Sequence, residues 1–207
     1  MKNKIKILGL GPGHPDYILP ITKKLIDNSE IVVGGERNLE NIDLKNKKSF
    51  FIKTPLSKTI DFIKNNYEES RIVVLVSGDS GFYSLTKNIK KYFKEEELDI
   101  YPGISSLQYL FSRIGKTWED ACLMSMHGRE ENLIKNIKMN KSVGILTDKI
   151  WNPKKIAEKM MEKEILNRKI YIGENLSYDN ERIIKLNLED VNNHKFENLN
   201  VMVVSDE

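Results

Sequence analysis

The sequence predicts an α/β protein made of two α/β lobes, the first with a mainly parallel sheet and the second with a mixed sheet. Three observations predict it. Runs of β-type hydrophobes alternate with helical patterns through the first half, and several of those runs are apolar at every position. The last quarter then carries three such runs with no helical pattern long enough to separate them. A chain of 207 residues is long enough to bury a sizeable core.

In chain order, strands are expected at 4–10 (KIKILGL), 30–35 (EIVVGG), 49–53 (SFFIK), 71–77 (RIVVLVS) and 98–102 (LDIYP). Helices are expected near 18–28, 56–68, 82–94 and 104–114. In the third of these, Phe82, Leu85, Ile89 and Phe93 recur at helical spacing and form one apolar stripe. Glycine and charge break the pattern at 113–120 (RIGKTWED), which places a hinge near 115–120 and the lobes at 1–115 and 116–207. A strand at 121–126, a helix at 131–138, a strand at 142–147 and a helix at 153–166 follow. Asn152 is a favoured N-cap, and Pro153 suits the first helical position. Strands at 169–174, 182–188 and 199–205 complete the chain.

Composition narrows the function. Lys and Arg outnumber Asp and Glu by 18 to 14 in residues 1–115, whereas the count is 15 to 16 in residues 116–207. This mild basic bias in the first lobe suits an anionic small molecule and lacks the dense basic stripe of a nucleic-acid binder. No apolar run reaches the ~20 residues that cross a bilayer, and no signal peptide is recognisable. One cysteine permits no internal disulfide, so a reducing cytoplasm is the expected location.

Three glycine-bearing turns each follow an expected strand and precede a helical segment. The first is Gly9-Leu10-Gly11-Pro12-Gly13-His14. It has two glycines of a dinucleotide fingerprint, but His14 stands in place of the third and Pro12 removes a backbone donor. No acid sits where a ribose would need it, so a nicotinamide cofactor is disfavoured. The second is Ser77-Gly78-Asp79-Ser80-Gly81, where Asp79 is either a helix cap or a ligand contact. The third lies within YPGISSLQ, residues 101–108. Open α/β sheets bind ligands at the carboxyl ends of their strands, so three such turns on one rim point to a ligand cleft.

The segments GLGPGHPDYIL, VVGGERNL, VSGDSGFYS, YPGISSLQ, SMHGR and GENLSYDNERI resemble, in order and over almost the whole chain, the tetrapyrrole methylases. These are the class III S-adenosylmethionine-dependent methyltransferases. The resemblance implies two lobes around a cleft, a homodimer, and S-adenosyl-L-methionine held bent between the lobes. Carried over by position, the cofactor shell comprises Pro12, Ser77, Gly78, Asp79, Phe82, Ser105 and Ser106, with Leu146 or Thr147 and Leu176 from the second lobe. Gly11 and Gly13 would floor the trough for the macrocycle. Where many relatives have Asp and Pro, this chain has His14 and Ser80. Within that family GPGHPDY, GGERNL and ENLSY most resemble the members that act on a cobalt-precorrin, and this resemblance implies methylation at C5 in cobalamin biosynthesis. The alternatives are another precorrin carbon, uroporphyrinogen, or a non-catalytic nucleotide-binding module.

Methyl transfer from a sulfonium cation to an electron-rich carbon needs positioning in a dry cleft and no protein nucleophile. Substrates of this family bear acetate and propionate groups, which makes Arg37 the first candidate for pairing a carboxylate, then Arg129 and Arg113. His127 is the weak candidate for accepting the proton that leaves the methylated ring; otherwise the catalytic group is unknown. Cys122 reads as an inert core thiol. His14, His127 and His194 have no ligand spacing with Cys122, so no protein-held metal is expected and any cobalt belongs to the substrate. A separate chain would supply C15 methylation and decarboxylation. Neither a nucleic-acid nor a membrane partner is expected.

Overall fold

The computed structural model describes residues 3–40, 42–126 and 132–206. The chain divides into two compact units, Met1–Ser105 and Ser106–Glu207. The first unit holds strands β1 (Ile5–Gly9), β2 (Ile31–Gly34), β3 (Lys48–Phe51), β4 (Ile72–Val76) and β5 (Leu98–Tyr101) in the order β3-β2-β4-β1-β5. Every pairing in it is parallel. Both faces are covered, which is why β2 and β4 are apolar at each position. On one face Ile5, Ile7, Val33 and Val74 pack with Ile60 and Ile63 of helix α3 (Ser57–Lys64). On the other, Leu8, Val32, Val73 and Leu75 pack with Ile26 of α1 (Pro20–Asp27) and Leu39 of α2 (Glu36–Glu40).

One expected helix is largely missing. Residues 82–94 contain only the single turn α4 (Thr86–Ile89). Tyr83 takes a positive φ of 47°, Ser84 donates its hydroxyl to the Ser80 carbonyl, and Thr86 N–H donates to Ser84 Oγ at 3.2 Å. These side-chain bonds satisfy the backbone locally and compete with a helical ladder. The apolar stripe survives without the helix: Ile89 and Phe93 are still buried in the core.

The second unit begins with α5 (Ser106–Arg113), followed by β6 (Cys122–Ser125), α6 (Leu133–Met139), β7 (Ser142–Leu146), α7 (Pro153–Glu162), β8 (Lys169–Glu174), β9 (Arg182–Asn187) and β10 (Asn200–Ser205). The sheet order is β6-β7-β10-β8-β9. Its β6–β7 pair is parallel and its other three pairs are antiparallel, so the sheet is mixed, as expected. Asn152 caps α7 by accepting the Lys155 N–H at 3.1 Å. Along β10, Met202 and Val204 enter the core beneath α6 and α7.

The opposite face receives α5. A Cβ on Gly144 would lie 3.0 Å from Phe111 Cε2 and 3.2 Å from Leu107 Cδ1, so the missing side chain makes room for this helix. Among the described residues, no helix is long and apolar enough to cross a membrane.

Candidate cofactor site

In the first unit β1 lies between β4 and β5, so the turns that leave their carboxyl ends are neighbours. They meet backbone to backbone. A Cβ on Gly9 would sit 2.6 Å from Gly103 N and 2.8 Å from Gly78 O; one on Gly103 would strike Gly78 O and lie 2.7 Å from Gly9 C. Gly11 and Gly78 exchange two hydrogen bonds, Gly11 N–H to Gly78 O at 3.1 Å and Gly78 N–H to Gly11 O at 2.9 Å. Both take a positive φ, 84° and 65°, a conformation that favours glycine. The three turns that the sequence places on one rim are one fused structure.

Polar side chains reinforce it. The Asp79 carboxylate accepts Gly81 N–H at 2.8 Å through Oδ1 and Gly103 N–H at 3.0 Å through Oδ2. No helix begins there, so of the two roles the sequence leaves open, the cap is not formed, and the carboxylate clamps two turns. The buried Ser80 hydroxyl donates to Tyr101 O at 2.7 Å and ties the same turns again. Ser77 donates to Asn38 Oδ1 at 3.0 Å and receives a hydrogen bond from Arg37 Nη2 at 3.2 Å. Arg37 and Ser77 are thereby brought together at an exposed margin. His14 caps the 3-10 turn Pro15–Tyr17, where its Nδ1 accepts the Asp16 N–H at 3.2 Å.

Of the remaining first-unit residues, Pro12 and Gly13 continue the first turn and are half-buried, and Ser105 ends the third. The Phe82 ring meets Tyr83 edge to face, with centroids 4.8 Å apart.

In the second unit β7 and β8 flank β10, and Val201 is the register partner of both Leu146 and Gly173. The carboxyl ends of β7 and β8 therefore share one margin. Thr147 Oγ1 lies 2.6 Å from Asn200 O and 2.7 Å from Asn200 Oδ1. Leu176 is 4% exposed, with its side chain turned onto Gly173. Ser106 opens α5. Arg113, at the end of α5, is held by Glu181 with Nε 3.1 Å from Oε1. His127 and Arg129 lie outside the described residues.

Sequence reading missed Asn38, which holds Ser77, and the two acids Glu174 and Glu181, which flank the turn after β8. The signal for the acids was an acid at each end of ENLSYDNE. Cys122 is half-buried, and burial pushes its thiol up, away from the thiolate. Among the described residues, no cluster of three His, Cys, Asp or Glu side chains is placed to hold a metal ion.

A family model described as Tetrapyrrole (Corrin/Porphyrin) Methylases matches residues 4–192. The chain belongs to the tetrapyrrole methylases. This methylase is 35% identical to a probable cobalt-precorrin-7 C(5)-methyltransferase of Methanocaldococcus jannaschii, over 96% of each chain. It is also 30% identical to a cobalt-precorrin-7 C(5)-methyltransferase of Salmonella typhimurium, over 98% of this chain and 99% of that one. Its fold matches a uroporphyrin-III C-methyltransferase from Thermus thermophilus solved in complex with S-adenosylhomocysteine. There the TM-score is 0.78 at 13% identity, covering 98% of this chain and 92% of the other.

Proposed function

We propose that this tetrapyrrole methylase transfers a methyl group from S-adenosylmethionine to C5 of cobalt-precorrin-7, a step in making cobalamin. The observation that carries the reading is identity of 30% or more, over nearly the full length, to two proteins named for that reaction. The residues suit the cofactor. The glycine turns lack side chains, so a ligand at this rim would meet main chain beside the Ser77 hydroxyl, which suits an amino-acid group or a ribose diol.

When bound, S-adenosylmethionine supplies an electrophilic methyl on a sulfonium sulfur. In this reading Pro12, Ser77, Gly78, Phe82 and Ser105 of the first unit contact it, as do Ser106, Leu146, Thr147 and Leu176 of the second, while Asp79 shapes the site from behind. Asp79 acts by holding the turn backbone, since both of its oxygens already accept backbone amides. Gly11 and Gly13 floor the substrate trough. Arg37 is exposed and makes no ion pair among the described residues, so its fork is available for a substrate carboxylate. Arg129 is assigned a second carboxylate. Arg113 keeps a substrate role only if it leaves Glu181. His127 is assigned the departing proton.

The family match occupies both units, and C15 methylation with decarboxylation is assigned to a separate chain. The family likeness supports a homodimer, which light scattering on the purified protein checks, and the single cysteine supports a cytoplasmic setting.

The test is incubation with S-adenosylmethionine carrying a carbon-13 methyl group and cobalt-precorrin-7, read by mass spectrometry and NMR. One new methyl resonance at C5 is expected. Methylation at another carbon, or of uroporphyrinogen instead, would move the reading to a different substrate. Cofactor binding with no transfer to any tetrapyrrole would leave a binding module.

A further inference from the structure

The turn after β8 is held in a shape that its own residues do not favour. Asn175 and Ser177 both take a positive φ, 46° and 70°, although neither is glycine. Leu176 lies between them with its side chain buried on Gly173, which leaves its main chain as the part of that residue able to meet a ligand. Asn175 N–H donates to Leu199 O at 3.0 Å, and Tyr178 N–H donates to Asn175 O at 3.0 Å. The turn is further staked by Glu181, whose Oε2 accepts the Ser177 N–H at 2.7 Å while Oε1 pairs with Arg113 Nε at 3.1 Å. The Glu181 side chain is only 14% exposed, whereas that of Arg113 is 55% exposed. A charged acceptor on a backbone amide is the stronger kind of hydrogen bond, and its shielded position preserves that strength.

We propose that Glu181 is a positioning residue of the S-adenosylmethionine site, a latch that fixes the Asn175–Tyr178 main chain in its ligand-binding shape. Arg113 orients the latch from the end of α5. The inference rests on the assignment of Leu176 to the cofactor made above, and it adds a residue that touches the turn and not the ligand. The latch predicts a particular pattern among conservative variants. Glutamine keeps an oxygen for the Ser177 amide and gives up the ion pair. Aspartate keeps the charge but is one methylene too short for the amide. Alanine loses both.

Calorimetric titration with S-adenosylhomocysteine tests this on the purified full chain. E181Q should bind within about threefold of wild type. E181D and E181A should bind about tenfold or more weakly, the size expected for one charge-assisted hydrogen bond. In turnover, KM for S-adenosylmethionine should rise by a similar factor while kcat at saturation stays within about twofold, because positioning of this turn affects ground and transition states alike. Hydrogen exchange at the Ser177 amide should quicken in E181A and E181D with β8 and β10 still protected. If E181A does not fold, E181D carries the same test. Wild-type affinity in folded E181D, or a loss in E181Q as large as that in E181A, would overturn the latch. Failure of the wild-type protein to bind S-adenosylhomocysteine would instead overturn the cofactor reading, and the Ser177 exchange data would still report on the latch.

Discussion

The two units fix their strand-end margins by different means. In the first, three turns meet main chain to main chain: Gly9, Gly78 and Gly103 approach so closely that a single methyl would not fit, and Asp79 and Ser80 brace the contact. In the second, the turn after β8 is held by side chains. Glu174, fully buried, accepts the Glu197 N–H at 2.7 Å, and Glu181 accepts the Ser177 N–H. Arg182 Nε lies 2.8 Å from Glu174 Oε2 without the alignment of a hydrogen bond. The difference has a consequence for substitution. A rim of fused glycines is intolerant of any added atom. A margin staked by carboxylates tolerates isosteric replacement and fails when the acceptor is removed.

Substitutions at four positions should differ in effect, from the largest to the smallest. Gly103→Ala should be the most damaging, because its methyl meets only backbone that cannot rotate away. A loss of about 3 kcal/mol is expected, with S-adenosylhomocysteine binding lost as well; thermal melting and titration read both. A neutral Gly103→Ala would mean that the turns are not fused. Glu174→Ala should cost about 2 kcal/mol in urea unfolding, since the Glu197 amide loses its buried, charged acceptor, while Glu174→Gln should recover most of that.

Asp79→Ala should cost about 1–2 kcal/mol by unbinding the Gly81 and Gly103 amides, with a parallel loss of affinity. Lower affinity at unchanged melting temperature would make Asp79 a direct ligand instead of a clamp.

The smallest effect concerns a bond remote from either margin. Tyr67 donates to Glu97 Oε1 at 2.6 Å, and this acceptor carboxylate is the main reason its hydroxyl is pushed up from 10 to about 12. The group is raised in the folded state, so its contribution is complete below pH 10 and disappears as pH climbs through about 12. Tyr67→Phe should therefore melt slightly below wild type at pH 8 and match it above pH 12.

Much of this was legible in the sequence. Runs such as IVVLV, apolar at each position, announce a strand covered on both faces, and β4 is one. Turns that follow three strands and carry glycine where little else fits pointed to a shared rim, and Gly9, Gly78 and Gly103 form it. Other features depended on partners distant in sequence. The clamp made by Asp79 depends on Gly103, 24 residues on, so its neighbours offered only a helix cap or a ligand contact. Glu181 finds Arg113 68 residues earlier. The helix expected at 82–94 failed because periodicity reports which side chains are buried, and Ile89 and Phe93 are buried without it. No element was expected between the strands at 30–35 and 49–53, yet α2 forms at Glu36–Glu40, stabilised by Leu39 entering the core.

The most direct test of the account is amide NMR of nitrogen-15-labelled protein during titration with S-adenosylhomocysteine. The largest shifts should fall on residues 9–13, 77–82 and 103–106, with a second set at 146–147 and 175–178. Saturable binding that leaves the three glycine turns unperturbed and moves amides elsewhere would contradict it.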